Sequence, residues 1–393
     1  MALVSASPVA SMTKSWNVRM MTEKEAPVPE HVTITKGTCI AIFAYDVGHS
    51  INLTDAERRI AAGTERGRLR HKTRAPQYFE YRPAPLRLVQ EGTIFDISGY
   101  QASPMVEVMV YDFGAATITY RFPIDGPFSR LLELGESLYE NERLLAESRT
   151  RVEQLVQELG PAIERPAIAE DVEDYILFSI ESSVPETPPL WMSRETDLAQ
   201  ILRADRTPFS EQEVADAVSC RISFGQEDVA VIDWHSAVLF GKEMDDVRAV
   251  LEFANVELLE MRILDEQLDQ ALDEGYEALT RKPRRLSLPG SHDKDMTHIA
   301  QLQVDSALIF ERVTNTLKLL GDQYLARVYR LASQRFHLEA WDASILRKLQ
   351  TLESIYSKMS DRAGTRRMEV LEWIIIILIA LSIAVSFLPV NQH

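Results

Sequence analysis

Three groups of residues in this chain carry side chains able to do chemistry at spacings that chemistry uses. Asp233 and His235 flank Trp234 within VAVIDWHSAVLF, residues 229–240. An Asp beside a His can fix the imidazole tautomer for proton transfer in a hydrolase or transferase. Strand alternation puts both on one face and Trp234 on the other, which equally describes a strand with one polar side and no reaction. Asp46 and His49 follow an apolar run and form a second pair. Two ligands make no metal site without a third, and Asp46 with Gly48 is ordinary turn chemistry. The third group is basic: Arg66, Arg68, Arg70, Lys72 and Arg74, with His71 among them. In so acidic a chain this positive segment can meet the phosphates of RNA or of lipid headgroups, and it can equally be a solvated loop.

Around these groups the familiar catalytic signatures are missing. The sequence has no GxxxxGK[ST] loop, GxGxxG fingerprint, GxSxG elbow or HExxH helix, and no cofactor is implied. Its formal charge of −17 argues against broad nucleic-acid binding by the whole molecule. Cys39 and Cys220 are the two cysteines, too far apart for a CxxC pair, so neither a disulfide framework nor a cysteine zinc site is supported. With 393 residues, 46% of them hydrophobic, the chain can bury an ordinary core in two or three folding units.

The elements that must position these side chains read as follows. Residues 1–36 form a disordered tail closed by Pro27 and Pro29. TCIAIFAYDVG, 38–48, is a buried strand, and Asn52 or Thr54 caps a short helix over 55–62. Residues 106–112 and 117–122 alternate around Phe113 and Gly114, which predicts a β-hairpin. One long helix is expected over 128–159, ended by Gly160 and Pro161. EDYILFSI, 173–180, is a further strand, and after a Pro-rich stretch helices follow at 194–204 and at 211–218, the latter capped by Ser210. CRISF and VAVIDWHSAVLF complete the strands. Without a strict βαβ rhythm this makes an α+β domain over 37–241, as one unit or as two sub-domains meeting near Pro166.

From about Asp245 the chain turns helical. Val247, Leu251, Ala254, Leu258, Met261, Asp265, Leu268 and Leu272 fall at alternating steps of four and three, a seam for lengthwise helix packing. A basic, Pro-containing turn with Arg281, Lys282, Arg284 and Arg285 leads into a second helical stretch from about Asp295 to Met359. The expectation over 242–368 is a long antiparallel helical hairpin, its return helix unbroken or bent around Ser333. Beyond it Trp373, Ile374, Ile375, Ile376, Ile377, Leu378, Ile379, Leu381, Ile383, Val385, Phe387 and Leu388 give an uncharged apolar run. From Trp373 to Val390 it would be about 27 Å of helix, close to the hydrocarbon thickness of a bilayer. A single C-terminal transmembrane helix over 369–390 is therefore expected. Arg362, Arg366 and Arg367 on its near side keep the folded mass cytoplasmic or on the matrix side.

EDYILFSI, VAVIDWHSAVLFG, DVRAVLEFANVELLEMRILDEQLD (246–269) and RRMEVLEWIIIILIALSI (366–383), taken together and in this order, resemble the family named for "required for meiotic nuclear division". The resemblance covers about the last two thirds of the chain. It implies an α+β domain, a helical hairpin and a terminal membrane helix in a self-associating protein without an assigned reaction. In the family's mitochondrial branch it implies a connection with organelle translation at the inner membrane. No catalytic residue is carried over from it. The expected function is a tail-anchored scaffold that presents the α+β domain to a partner, at a bacterial inner membrane or at the matrix side of a mitochondrial one. The alternatives are a membrane-bound enzyme using Asp233 and His235, and an RNA- or ribosome-binding tether.

Overall fold

The computed structural model describes residues 32–64, 84–184, 194–225, 227–280 and 323–386, with isolated positions 304, 307, 310 and 311; beyond Asp361, side chains are described only at Glu372, Ile375, Ile376 and Leu378. The chain opens with β1 (Thr33–Asp46), β2 (Gly48–Ile51) and α1 (Leu53–Thr64), whose first turn is capped by the Asn52 side chain accepting from the Asp55 amide at 3.1 Å. Next come β3 (Leu86–Glu91), β4 (Asp96–Ile97), β5 (Tyr100–Gln101), β6 (Met105–Val110) and β7 (Ala115–Pro127). The expected hairpin is β6–β7.

The single helix expected over 128–159 is two helices, α2 (Arg130–Leu138) and α3 (Glu142–Leu159). Glu140 sits at φ +48, and Asn141 serves both sides of the break. Its amide nitrogen donates to the Ser137 carbonyl at 2.7 Å, and its side-chain oxygen accepts from the Leu144 amide at 3.0 Å. Asn is a poor interior helix residue and a strong N-cap, so the chain stops and restarts there.

Then follow β8 (Ile163–Pro166), β9 (Glu173–Val184), α4 (Glu195–Arg203), α5 (Glu211–Ala217), β10 (Arg221–Ile222), β11 (Val229–Ile232) and β12 (Ser236–Phe240). Ser210 caps α5, as expected, accepting from the Glu213 amide. Eight strands form one sheet in the order β10-β11-β12-β9-β1-β7-β6-β3, antiparallel throughout except for β12 beside β9. Strands from both sides of Pro166 belong to it, so the sheet itself is continuous across that position. The mixture of a large, mostly antiparallel sheet with separate helices is an α+β arrangement.

β1 lies at the middle of the sheet because CIAIFAY is apolar at consecutive positions, and both of its faces are covered. Cys39, Ala41, Phe43 and Tyr45 point into a core with α1–α4, including Leu131, Leu134, Val152 and Leu155. Ile40 and Ile42 point to the other side. There they meet α6 (Asp245–Thr280) and α7 (Gln323–Arg335), and further along α6 packs on α8 (Leu338–Ser386).

Of the expected antiparallel hairpin, the return stretch from Asp295 to Asp322 lies outside the described residues apart from isolated positions, and over Gln323–Met359 the contacts correct the direction. Glu257 meets Tyr329, Asp265 meets Ser344, and Asp269 meets Lys348, so positions rise together and α6 runs parallel to α7–α8. A seam read from one helix fixes which face packs and not the direction of the partner. Helix α7 is separated from α8 at Phe336 and His337, the latter at φ +57, a few residues beyond the bend considered at Ser333.

Among the described residues no helix is long and apolar enough to cross a membrane. Of the expected anchor, Ile375, Ile376 and Leu378 are described and all are more than half exposed; the side chains of Trp373, Ile374, Ile377, Ile379, Leu381, Ile383 and Val385, and the whole of Phe387 and Leu388, lie outside the described residues. The tail 1–31, the basic loop with Arg66, Arg68, Arg70, Lys72 and Arg74, and the turn with Arg281, Lys282, Arg284 and Arg285 also lie outside them.

Candidate functional site

Asp233, Trp234 and His235 are not in the heart of a strand. They form the turn between β11 and β12, closed by the Asp233 amide donating to the Ser236 carbonyl at 2.9 Å. The alternation argument fails because polar residues at the middle of the apolar run end one strand and begin the next. Asp233 is fully buried, and its carboxylate serves as a structural joint. Oδ1 accepts from Arg335 Nε at 2.6 Å and from the Trp234 amide at 2.7 Å, while Oδ2 accepts from Arg203 Nε at 3.2 Å. Arg203 also pairs with Glu213, and both arginines reach Asp216 at 2.9 Å. The cluster binds α4, α5 and α7 to one turn. Arg203, Arg335 and Asp216 gave no signal in the sequence, being surface-like charges on predicted helices.

His235 is turned away from that cluster. It packs edge-on against the Tyr139 ring at 4.8 Å and beside Trp234 at 5.5 Å, and its Nε2 is buried without a hydrogen-bond partner among the described residues. Burial pushes the imidazole pKa down, partly offset by Asp174, Asp233 and Glu140. The Asp174 carboxyl is in turn raised by burial, with His235 opposing the shift. The expected Asp233–His235 dyad is therefore not assembled: Asp233 answers arginines. The neighbouring hydroxyl, that of Ser236, donates to the Leu202 carbonyl at 2.8 Å.

Asp46 ends β1, and its Oδ1 accepts from the Gly48 amide at 2.9 Å, the turn chemistry expected of it. Burial raises its pKa to about 6, the Gly48 bond opposing. The acid set against it is Glu260 of α6, whose own carboxyl is raised by burial and by Asp46. Among the described residues no group of three or more His, Cys, Asp or Glu is placed to hold a metal ion.

A second ionic cluster lies between the sheet and α6. Glu107 on β6 accepts from Arg87 through both oxygens at 2.9 Å, from Arg121 at 3.0 Å and from Arg248 at 3.3 Å. Burial pushes the Glu107 carboxyl up, but Arg248, Arg87 and Arg121 outweigh it and hold the pKa at about 2. Glu252 completes the cluster, accepting from Arg248 at 3.1 Å and from the Thr117 hydroxyl at 2.6 Å. Every charge in it is answered, which is what a buried structural network requires.

A cleft of about 620 Å³ opens where β9 and β12 end and α6 and α7 begin. Glu181, Glu227, Glu243 and Asp246 line it, and Phe224 stands edge-on to Tyr324 at 5.2 Å. Asp228 at its wall accepts from the Phe224 and Gly225 amides and so shapes the β10–β11 loop. So acidic a lining repels phosphates.

Comparison with known proteins bears on the sheet half of the chain. A relative described as "Uncharacterized protein MJ0711", from Methanocaldococcus jannaschii, is 22% identical over 219 residues, covering 55% of this chain and 66% of the relative, just under two thirds of its length. No solved structure matches. The family model described as "Uncharacterized protein MJ0711, N-terminal domain" matches residues 36–246, from the start of β1 to the first residues of α6. The chain belongs to this family, and what the family's model matches is the eight-stranded sheet with the helices α1–α5.

Proposed function

We propose that the protein is a tail-anchored, self-associating membrane scaffold, which holds its sheet domain on the cytoplasmic or matrix side for a protein partner. The observation that carries this reading is the course of α8. The helix has 49 residues, about 73 Å, and is buried against the fold at Leu338, Ile345, Leu352, Ile355 and Met359. It then outruns its partner and presents Ile375, Ile376 and Leu378 at 53–59% exposure. Apolar residues left more than half exposed on a helix are the form a lipid-seeking segment takes.

The parallel course of α6 supports the same reading. Asp269 is level with Lys348, and Thr280 lies eleven residues, about 16 Å, further toward the end at which α8 leaves the fold. Arg281, Lys282, Arg284 and Arg285 follow Thr280 in the sequence, and as contacts to anionic lipid each would contribute about 1 kcal/mol. The resemblance to the "required for meiotic nuclear division" family agrees with membrane attachment. The commitment of Asp233 to two arginines weighs against the enzyme alternative.

Alkaline carbonate extraction tests the reading. The full chain stays with the membrane pellet, and a version ending at Arg367 is released while keeping its helical and sheet circular dichroism. Release of the full chain, or retention of the shortened one, refutes the anchor.

A further inference from the structure

Three acidic side chains on α6 are buried in the protein, and one of them meets a cation. Glu252 is paired with Arg248. Glu257 is 3% exposed and receives one hydrogen bond, from the Tyr329 hydroxyl of α7 at 2.7 Å. From α8 it faces Asp342, whose Oδ1 is buried without a hydrogen-bond partner. Glu260 is 4% exposed, its Oε1 has no partner, and it faces Asp46 of β1. Among the described residues no Lys, Arg or His forms an ion pair with Glu257, Asp342, Glu260 or Asp46. An unanswered carboxylate in such a place is far less favourable than the same group carrying a proton.

We propose that α7 and α8 are held on α6 by a proton on Glu257, making this seam a proton-dependent joint that loosens as pH rises. Among the described residues the groups facing Glu257 come from α7 and α8. Tyr329 comes from α7, and Asp342 comes from α8 with Glu339 beside it. The sheet turns its own polar groups to the other acids, Thr117 and Glu107 to Glu252 and Asp46 to Glu260.

The break at Phe336 and His337 falls between Tyr329 and Asp342, so the two helices that close over Glu257 are separately hinged. Further along, the seam is closed differently. Lys348 pairs with Asp265 at 2.8 Å and with Asp269 at 2.6 Å, ion pairs in place of a shared proton. Loosening therefore begins at the hinge and not at the far end.

The direction follows from linkage. Burial raises the Glu257 carboxyl from an ordinary 4.5 to about 8, with Tyr329 opposing and Asp342 adding to the rise. The docked form holds a proton that the undocked form releases. Docking is strongest below the ordinary value, weakens about tenfold per pH unit up to the raised one, and then levels off.

Hydrogen exchange of the α7 and α8 amides in the full chain, corrected for intrinsic exchange, reads this directly. The opening constant rises about tenfold per unit between about pH 5 and pH 8. Glu257→Gln keeps the shape, abolishes that slope and removes a protonated-carboxyl infrared band seen in the parent at neutral pH. Tyr329→Phe keeps the slope and extends it upward, because the lost bond favoured the ionised form. A parental slope in Glu257→Gln, or an unchanged infrared band, overturns the proposal. So does a slope that survives Glu257→Gln and disappears in Glu260→Gln, which assigns the proton to the Asp46 pair instead.

Discussion

Arg335 Nε stands 2.6 Å from Asp233 Oδ1, which joins the last turn of α7 to the turn between β11 and β12 through a carboxylate with no solvent exposure. The joint links the helices that follow the family-matched half of the chain to the sheet itself. Removing one member of a buried pair leaves the other charge unanswered. Asp233→Ala, which leaves Arg203 and Arg335 only the more exposed Glu213 and Asp216, should lower stability by about 3 kcal/mol. Arg335→Ala should do less, since Arg203 still serves Asp233. Urea unfolding of the two variants and the double variant checks this, and the effects should be clearly non-additive.

The acid limb of stability should be set by Glu107. Its folded pKa, about 2, is below its ordinary value of 4.5, so its contribution is present above 4.5 and is lost as pH falls toward 2. The shift corresponds to a loss on the order of 3 kcal/mol. Glu107→Gln should lose that stability at neutral pH and show a flatter profile between those values, measured as the urea midpoint against pH. A parallel, merely displaced profile would contradict the assignment.

Gly114→Ala should be among the most damaging single-methyl changes in the sheet. Gly114 turns the β6–β7 hairpin at φ +107, and a Cβ there would lie 1.8 Å from the Gly48 carbonyl oxygen. The Val47 amide donates to the Gly114 carbonyl at 2.9 Å, so the hairpin turn and the β1–β2 turn are stitched together. Strain and a backbone clash act together, and the loss should exceed about 2 kcal/mol, read as a drop in Tm.

What the sequence disclosed, and what it hid, divides along a physical line. Local signals were legible: Asn52, one of the two candidate caps, and Ser210 cap their helices, and Gly114 turns the expected hairpin. Asn141 was not singled out: one helix was expected over 128–159 where its capping makes two. Long-range relationships left little trace. The acids Glu252, Glu257 and Glu260 look like a wet helix face, because a seam with one partner leaves the other side to water. Here α6 is covered by the sheet on one side and by α7 and α8 on the other, so its polar side is interior. Of the two candidate pairs, Asp233 with His235 is not assembled because Asp233 is engaged by Arg203 and Arg335, both distant in sequence. Asp46 acquires Glu260, which no spacing rule could bring to it.

The placement of β1 sets a clock for the chain's synthesis. This strand leaves the ribosome first of the eight, yet Thr33 aligns with Pro127 on one flank and with Val184 on the other. At a translation rate of about 5–20 residues per second, roughly 10–30 s pass before its second neighbour exists. Through that interval CIAIFAY is an apolar ribbon with an open edge, and pairings over such separations form slowly even afterwards. The yield of the protein should therefore depend more on how fast it is made than on how stable it becomes.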